Sequence, residues 1–102
     1  MTNSVNRVTF FTVFDKKLEA YTAPFTAPNQ AVVLREYSNL LKQNPETPYA
    51  QNPEDFAIYA CGTFDLSLGI VVSPADIGEQ NRLVAEFVDL VEPRVLVSNR
   101  SQ

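Results

Sequence analysis

The chain has 102 residues, of which 45% are hydrophobic, with seven Phe and four Tyr; this is apolar material for one small packed domain and argues against general disorder. Lys and Arg number 8 against 12 Asp and Glu, for a formal charge of -4, the opposite sign from the basic patch of a typical nucleic-acid binder. The absence of histidine removes the commonest general base and metal ligand, and a single cysteine cannot form an internal disulfide.

The charge is uneven. Residues 1–51 carry five basic side chains (Arg7, Lys16, Lys17, Arg35, Lys42) and four acids, whereas residues 52–102 carry three basic side chains and eight acids. No apolar run is long enough to span a bilayer, and "MTNSVNRVTFF" lacks the basic start and long apolar core of a signal peptide. The expectation is a soluble protein of the cytoplasm with no membrane partner.

In chain order, "RVTFFTVFD" (Arg7 to Asp15) is rich in β-branched and aromatic residues and predicts a strand. Period two puts Val8, Phe10, Thr12 and Phe14 on one face, and Thr9, Phe11 and Val13 on the other. Asp15-Lys16-Lys17 is a polar break, and "LEAYTAPF" predicts a short return strand that Pro24 and Pro28 terminate. Asn29 is suited to cap a helix. The helix over "QAVVLREYSNLLKQ" carries Val33, Leu34, Tyr37, Leu40 and Leu41 on one stripe and stops at Asn44-Pro45. "NPETPYAQNPED" is a proline-stiffened loop.

"FAIYACGTF" then predicts a second long strand, with Phe56, Ile58, Ala60 and Phe64 on one face and Ala57, Tyr59, Cys61 and Thr63 on the other. Asp65 to Gly69 is a turn in which Gly69 takes positive φ, and "IVVS" is its hairpin partner. Ser73-Pro74-Ala75-Asp76 has the chemistry of a helix start. Leu83, Val84, Phe87, Val88 and Val91 supply an apolar side for a helix running to about Val91, where Glu92-Pro93 ends it. Residues 93–102 form a flexible or edge-strand tail within the single domain 1–102.

Most chemistries find no support in these residues. Cys61 has no activating base near it in sequence and reads as a small buried apolar residue rather than a nucleophile. Glu54, Asp55 and Asp65 border strand ends, but acids beside Pro and Gly are usually turn formers, and no calcium-loop pattern surrounds them. No glycine-rich phosphate loop is present. The expectation is therefore no catalytic residue, no metal and no cofactor. The aromatic residues are more informative. With helices on one side of the sheet only, Phe11, Val13, Tyr59 and Cys61 would lie on the uncovered side. Such a face can stack single-stranded bases or be covered by a second subunit or by the tail. The acidic charge favours covering.

The order of these segments resembles the small nonstructural protein of gokushovirus-type microviruses, which are single-stranded DNA phages. The resemblance spans roughly residues 8 to 72. It rests on Asp15, Lys17, Tyr21, Pro24 and Phe25, on Arg35 early in the following helix, and on Pro53, Glu54, Asp55, Phe56, Gly62, Phe64, Asp65 and Gly69. That family usually has an aliphatic residue where this chain has Cys61, which again speaks against a catalytic cysteine. The resemblance implies a protein absent from the virion, often labelled DNA-binding, with an inferred role in viral DNA synthesis or packaging inside the host bacterium.

Together these readings predict an α+β domain: a small antiparallel sheet with two helices packed mainly on one face. Phe56, Ile58, Phe64, Leu34 and Leu41 are the expected core beneath the first helix. The expected function is a non-enzymatic accessory role in phage DNA replication or packaging, through weak single-stranded DNA contact. The alternative is a protein-interaction module acting on a viral or host replication protein without touching DNA. The candidate nucleic-acid contacts are Arg7, Lys16, Lys17, Arg35 and Lys42 for phosphates and Tyr21, Tyr49 and Tyr59 for bases. Apolar residues on both faces of both long strands predict a homodimer.

Overall fold

The computed structural model describes residues 6–91. Its strands are β1 (Arg7–Asp15), β2 (Ala20–Tyr21), β3 (Phe25–Ala27), β4 (Phe56–Asp65), β5 (Ile70–Val72) and β6 (Arg82–Glu86). Its helices are α1 (Gln30–Gln43), α2 (Pro48–Gln51) and α3 (Phe87–Val91), with 3-10 turns at Pro53–Asp55 and Pro74–Ile77.

All six strands join one antiparallel sheet. β1 and β4 are the long central pair. Each outer edge of that pair is shared by two short strands, β2 and β3 along β1 and β6 and β5 along β4. The "LEAYTAPF" return is thus two pieces, because the chain leaves the ladder between Tyr21 and Phe25.

One face of the sheet carries the helices. Val13 lies opposite Ile58 and Phe11 opposite Ala60, and both pairs are buried under Val33 and Leu41 of α1 and Phe87 of α3. A chain of ring contacts ties the layers together: Phe11 to Phe25, Phe25 to Tyr37, Tyr37 to Phe87, and Phe87 to Phe56, with centroids 5.5–6.1 Å apart. Such contacts add about 0.5–1.5 kcal/mol each beyond simple area burial. Phe11 and Val13 therefore belong to the core and not to the uncovered face. In α1 the deepest residues are Val33 and Leu41, while Leu34 is only half-buried. The helix begins where expected, with Asn29 Oδ1 accepting from the Val32 N–H at 3.0 Å.

A β-bulge decides what β4 shows on its far half. Thr9 pairs with Thr63 but Phe11 pairs with Ala60, so two residues, Cys61 and Gly62, stand opposite Phe10 alone. Gly62 has φ +136, a conformation that costs an L side chain. The extra residue reverses the alternation. Phe64 pairs with Val8 and meets Phe10 edge-on at 6.4 Å, on the face opposite Phe56 and Ile58. The expected place of Phe64 in the core is corrected accordingly.

The single helix expected from Ser73 to Val91 is also corrected. Its start forms as read: Ser73 Oγ accepts from the Asp76 N–H and Asp76 Oδ2 accepts from the Ser73 N–H. Gly78 then takes a left-handed conformation, φ 74, and closes the turn. Arg82–Glu86 pairs with the edge of β4 as a strand, and only Phe87–Val91 is helical. The tail from residue 93 lies outside the described residues.

Candidate functional site

Among the described residues, no helix lies over the second face of the sheet. By register that face carries Val8, Phe10, Thr12 and Phe14 from β1, Ala57, Tyr59 and Phe64 from β4, and Tyr21, Val71 and Leu83 from the flanking strands. Thr12 is buried at its centre and is satisfied, its hydroxyl donating to the Thr22 carbonyl at 2.7 Å. Around Thr12 the surface is apolar and aromatic. Phe14 contacts Tyr21 at 4.6 Å and Tyr59 at 6.3 Å, and Tyr21 lies 6.0 Å from Tyr59. Tyr21 is half exposed, and Val71 and Leu83 are exposed for residues of their type.

The rim of this cluster is the β1–β2 turn. Asp15 Oδ1 accepts from the Lys17 and Leu18 N–H groups and fixes the turn. Lys16 Nζ bonds Glu86 Oε1 at 2.7 Å, and Glu86 lies opposite Ala57 on the same face. That bond, chiefly, raises the Lys16 pKa, with weaker help from Tyr59 and Asp55. Lys17 projects from the same turn and is exposed.

The structure brings four of the eight candidate contacts together: Lys16, Lys17, Tyr21 and Tyr59. The others lie elsewhere. Tyr49 is half-buried inside the core, edge-on to Phe56 at 4.7 Å and Phe87 at 5.4 Å, so its ring is not offered to a ligand. Arg35 and Lys42 are exposed on α1, which covers the opposite face. Arg7 is on the helix-bearing face at the far end of β1, with Nε 3.9 Å from Asp65 Oδ2. Phe14, Phe10, Phe64, Val71 and Leu83 were not among the candidates. The signal for Phe14 was its shared face with Thr12. For Phe64 it was Gly62 inside a strand, a common mark of a bulge.

Of the acids considered for metal binding, Asp65 through its carboxylate and Asp55 through its backbone carbonyl take part in local structure. Asp65 Oδ1 accepts from the Ser67 and Leu68 N–H groups and shapes the β4–β5 turn. The Asp55 carbonyl accepts from the Lys16 N–H. Burial pushes the Cys61 thiol above its usual range, which lowers its thiolate fraction. Among the described residues, no helix is long and apolar enough to cross a membrane.

Fold and surface together define a small α+β protein with one face of its sheet given to aromatic side chains. The family model described as phage ORF5 protein matches residues 8–90, and the chain belongs to that family. No curated protein and no solved structure matches it.

Proposed function

We propose that this chain is a non-enzymatic accessory protein of a single-stranded DNA phage, of the gokushovirus type among the microviruses, and that it serves viral DNA replication or packaging in the host cytoplasm by holding single-stranded DNA weakly on its open sheet face. The observation that carries this reading is the Phe14–Tyr21–Tyr59 cluster, three rings within 6.3 Å of one another on the helix-free face, with two lysines in the adjoining turn. Each base stacked on such a ring contributes about 1–3 kcal/mol. Tyrosine suits the role because its phenol keeps a wettable end at an exposed site. With few phosphates contacted, salt dependence is shallow, a slope of about -0.7 per phosphate neutralised. Fluorescence anisotropy with a short labelled strand at low salt tests this. Tyr21→Ala/Tyr59→Ala and Lys16→Glu/Lys17→Glu should each weaken binding about tenfold or more. If the native protein does not bind at tens of micromolar, or if all three bind equally, the DNA reading falls.

A second reading is favoured by the apolar continuation of the same face through Val71, 60% exposed, and Leu83, 47% exposed. Here the face meets protein, either a second copy in a homodimer or a viral or host replication protein. Sedimentation at micromolar concentration separates the readings: a dimer that Leu83→Glu dissociates, in a protein that ignores DNA, supports the second.

A further inference from the structure

A cavity of about 280 Å³ opens on the helix-bearing face at the end of the sheet, and α1, α2 and α3 contribute no residue to its lining. Its floor is built from the Thr9–Thr63 cross-strand pair, Ala60 and Gly62. The Ser73–Ile77 turn forms one wall and presents Pro74 and Ile77. The reciprocal Ser73–Asp76 bonds make that wall rigid. Gly62 keeps floor and wall close, since a Cβ there would sit 2.8 Å from the Val72 carbonyl oxygen.

Charge selects the ligand. Arg7 and Arg82 both line the cavity, against one acid, Glu79, so the lining is net positive in a chain of charge -4. Arg7 meets Asp65 only at 3.9 Å. Arg82 donates to the neutral Gln30 Oε1 at 2.9 Å and forms no ion pair among the described residues. A guanidinium with open donors is matched to phosphate oxygens. The threonine hydroxyls add neutral donors, and Pro74 and Ile77 offer an apolar surface to a flat group. The volume, about 280 Å³, lies just below the ~300–1,000 Å³ typical of ligand pockets, which suits one nucleotide unit and not a length of strand.

We propose that this cavity binds a nucleoside phosphate monoester, with the phosphate between Arg7 and Arg82 and the base against Pro74 and Ile77. The source of that chemistry is either a free mononucleotide or the phosphorylated 5′ end of a DNA strand. The site stands apart from the sheet-face reading, since it lies on the opposite side of the sheet and uses none of its rings.

Calorimetry with dTMP, thymidine and inorganic phosphate tests the assignment, with folding of each variant checked by circular dichroism. The native protein should bind dTMP, should bind inorganic phosphate more weakly and should ignore thymidine. Arg82→Gln should weaken dTMP binding about tenfold, the scale of one lost charged hydrogen bond, and Arg82→Lys should restore part of it. Tyr21→Ala/Tyr59→Ala should leave it unchanged, so failure here and failure of the sheet-face reading are separable. A 5′-phosphorylated oligonucleotide binding more tightly than dTMP, with its 5′-hydroxyl counterpart not competing, assigns the strand end; the reverse order assigns the free nucleotide. No dTMP binding at millimolar concentration, equal binding by Arg82→Gln, or phosphate binding as tight as dTMP overturns the proposal.

Discussion

Gly62 is the residue on which most of this structure turns. Its positive φ lets β4 accommodate one more residue than β1 does, and its missing side chain lets the Ser73 segment lie against the strand. Both requirements act on one position. Gly62→Val adds a Cβ 2.8 Å from a backbone oxygen and forces a β-branched residue to a φ it rarely adopts. The expected cost is at least ~1–3 kcal/mol in urea unfolding, with the cavity reshaped as well. A variant as stable as the native protein would mean that β4 can run without its bulge. The sequence offered a hint, since glycine inside an apolar strand marks a bulge or a close backbone approach. A strict period of two overlooks that hint, which is how Phe64 was assigned to the face of Ile58.

At the scale of elements, signals carried by a few adjacent residues were legible and those set by pairing were not. The Asn29 cap, the Asn44-Pro45 stop, the Asp65–Gly69 turn and the Ser73 capping box each depend on local chemistry, and each forms where the residues place it. The apolar spacing of the Arg82–Val91 segment predicts a helix, but over so short a run periodicity does not separate helix from strand. Its first half becomes β6 because the edge of β4 from Ala57 to Ala60 takes it up, a tertiary choice that propensity does not express. The candidate surface shows the same division. Period two sorted the β1 residues into two faces, yet nothing local says which face receives helices. The ring contacts of Phe87, fully buried between Tyr37, Tyr49 and Phe56, locate the core on the Phe11 side. Two truncations check this division. Phe87→Ala should cost about 3–5 kcal/mol. Phe64→Ala, on the open face and half-buried, should cost under ~2 kcal/mol. Chemical denaturation giving the opposite ranking would reverse the assignment of the two faces.

For the molecule as a whole, the two faces of the sheet give it a characteristic response to alkali. Tyr37 packs against Phe25 and Phe87 within the core, and burial, more than the neighbouring Tyr49 and Glu36, raises its phenol above the ordinary 10.0. On the other face, Lys16 is raised above its ordinary 10.5 mainly by the bond to Glu86, a contact between residues 70 apart in sequence. Both groups hold their protons more tightly folded than unfolded. Above about pH 10 the unfolded chain therefore binds fewer protons than the native protein, and stability falls with rising pH. Both contributions are complete below the unfolded pKa values and are lost as pH climbs through the folded ones. The Lys16 share is small, because exposed pairs contribute about 0–1 kcal/mol and its side chain is 42% exposed. The main share thus belongs to the buried phenol. Tyr37→Phe keeps the ring contacts and removes the titrating group, so its stability should decline less steeply than that of the native protein between pH 10 and 11 in urea unfolding. Lys16→Met should change that decline only slightly. Parallel curves for the native protein and Tyr37→Phe would show that the phenol is as well solvated folded as unfolded, and that Tyr37 does not lie where the aromatic core places it.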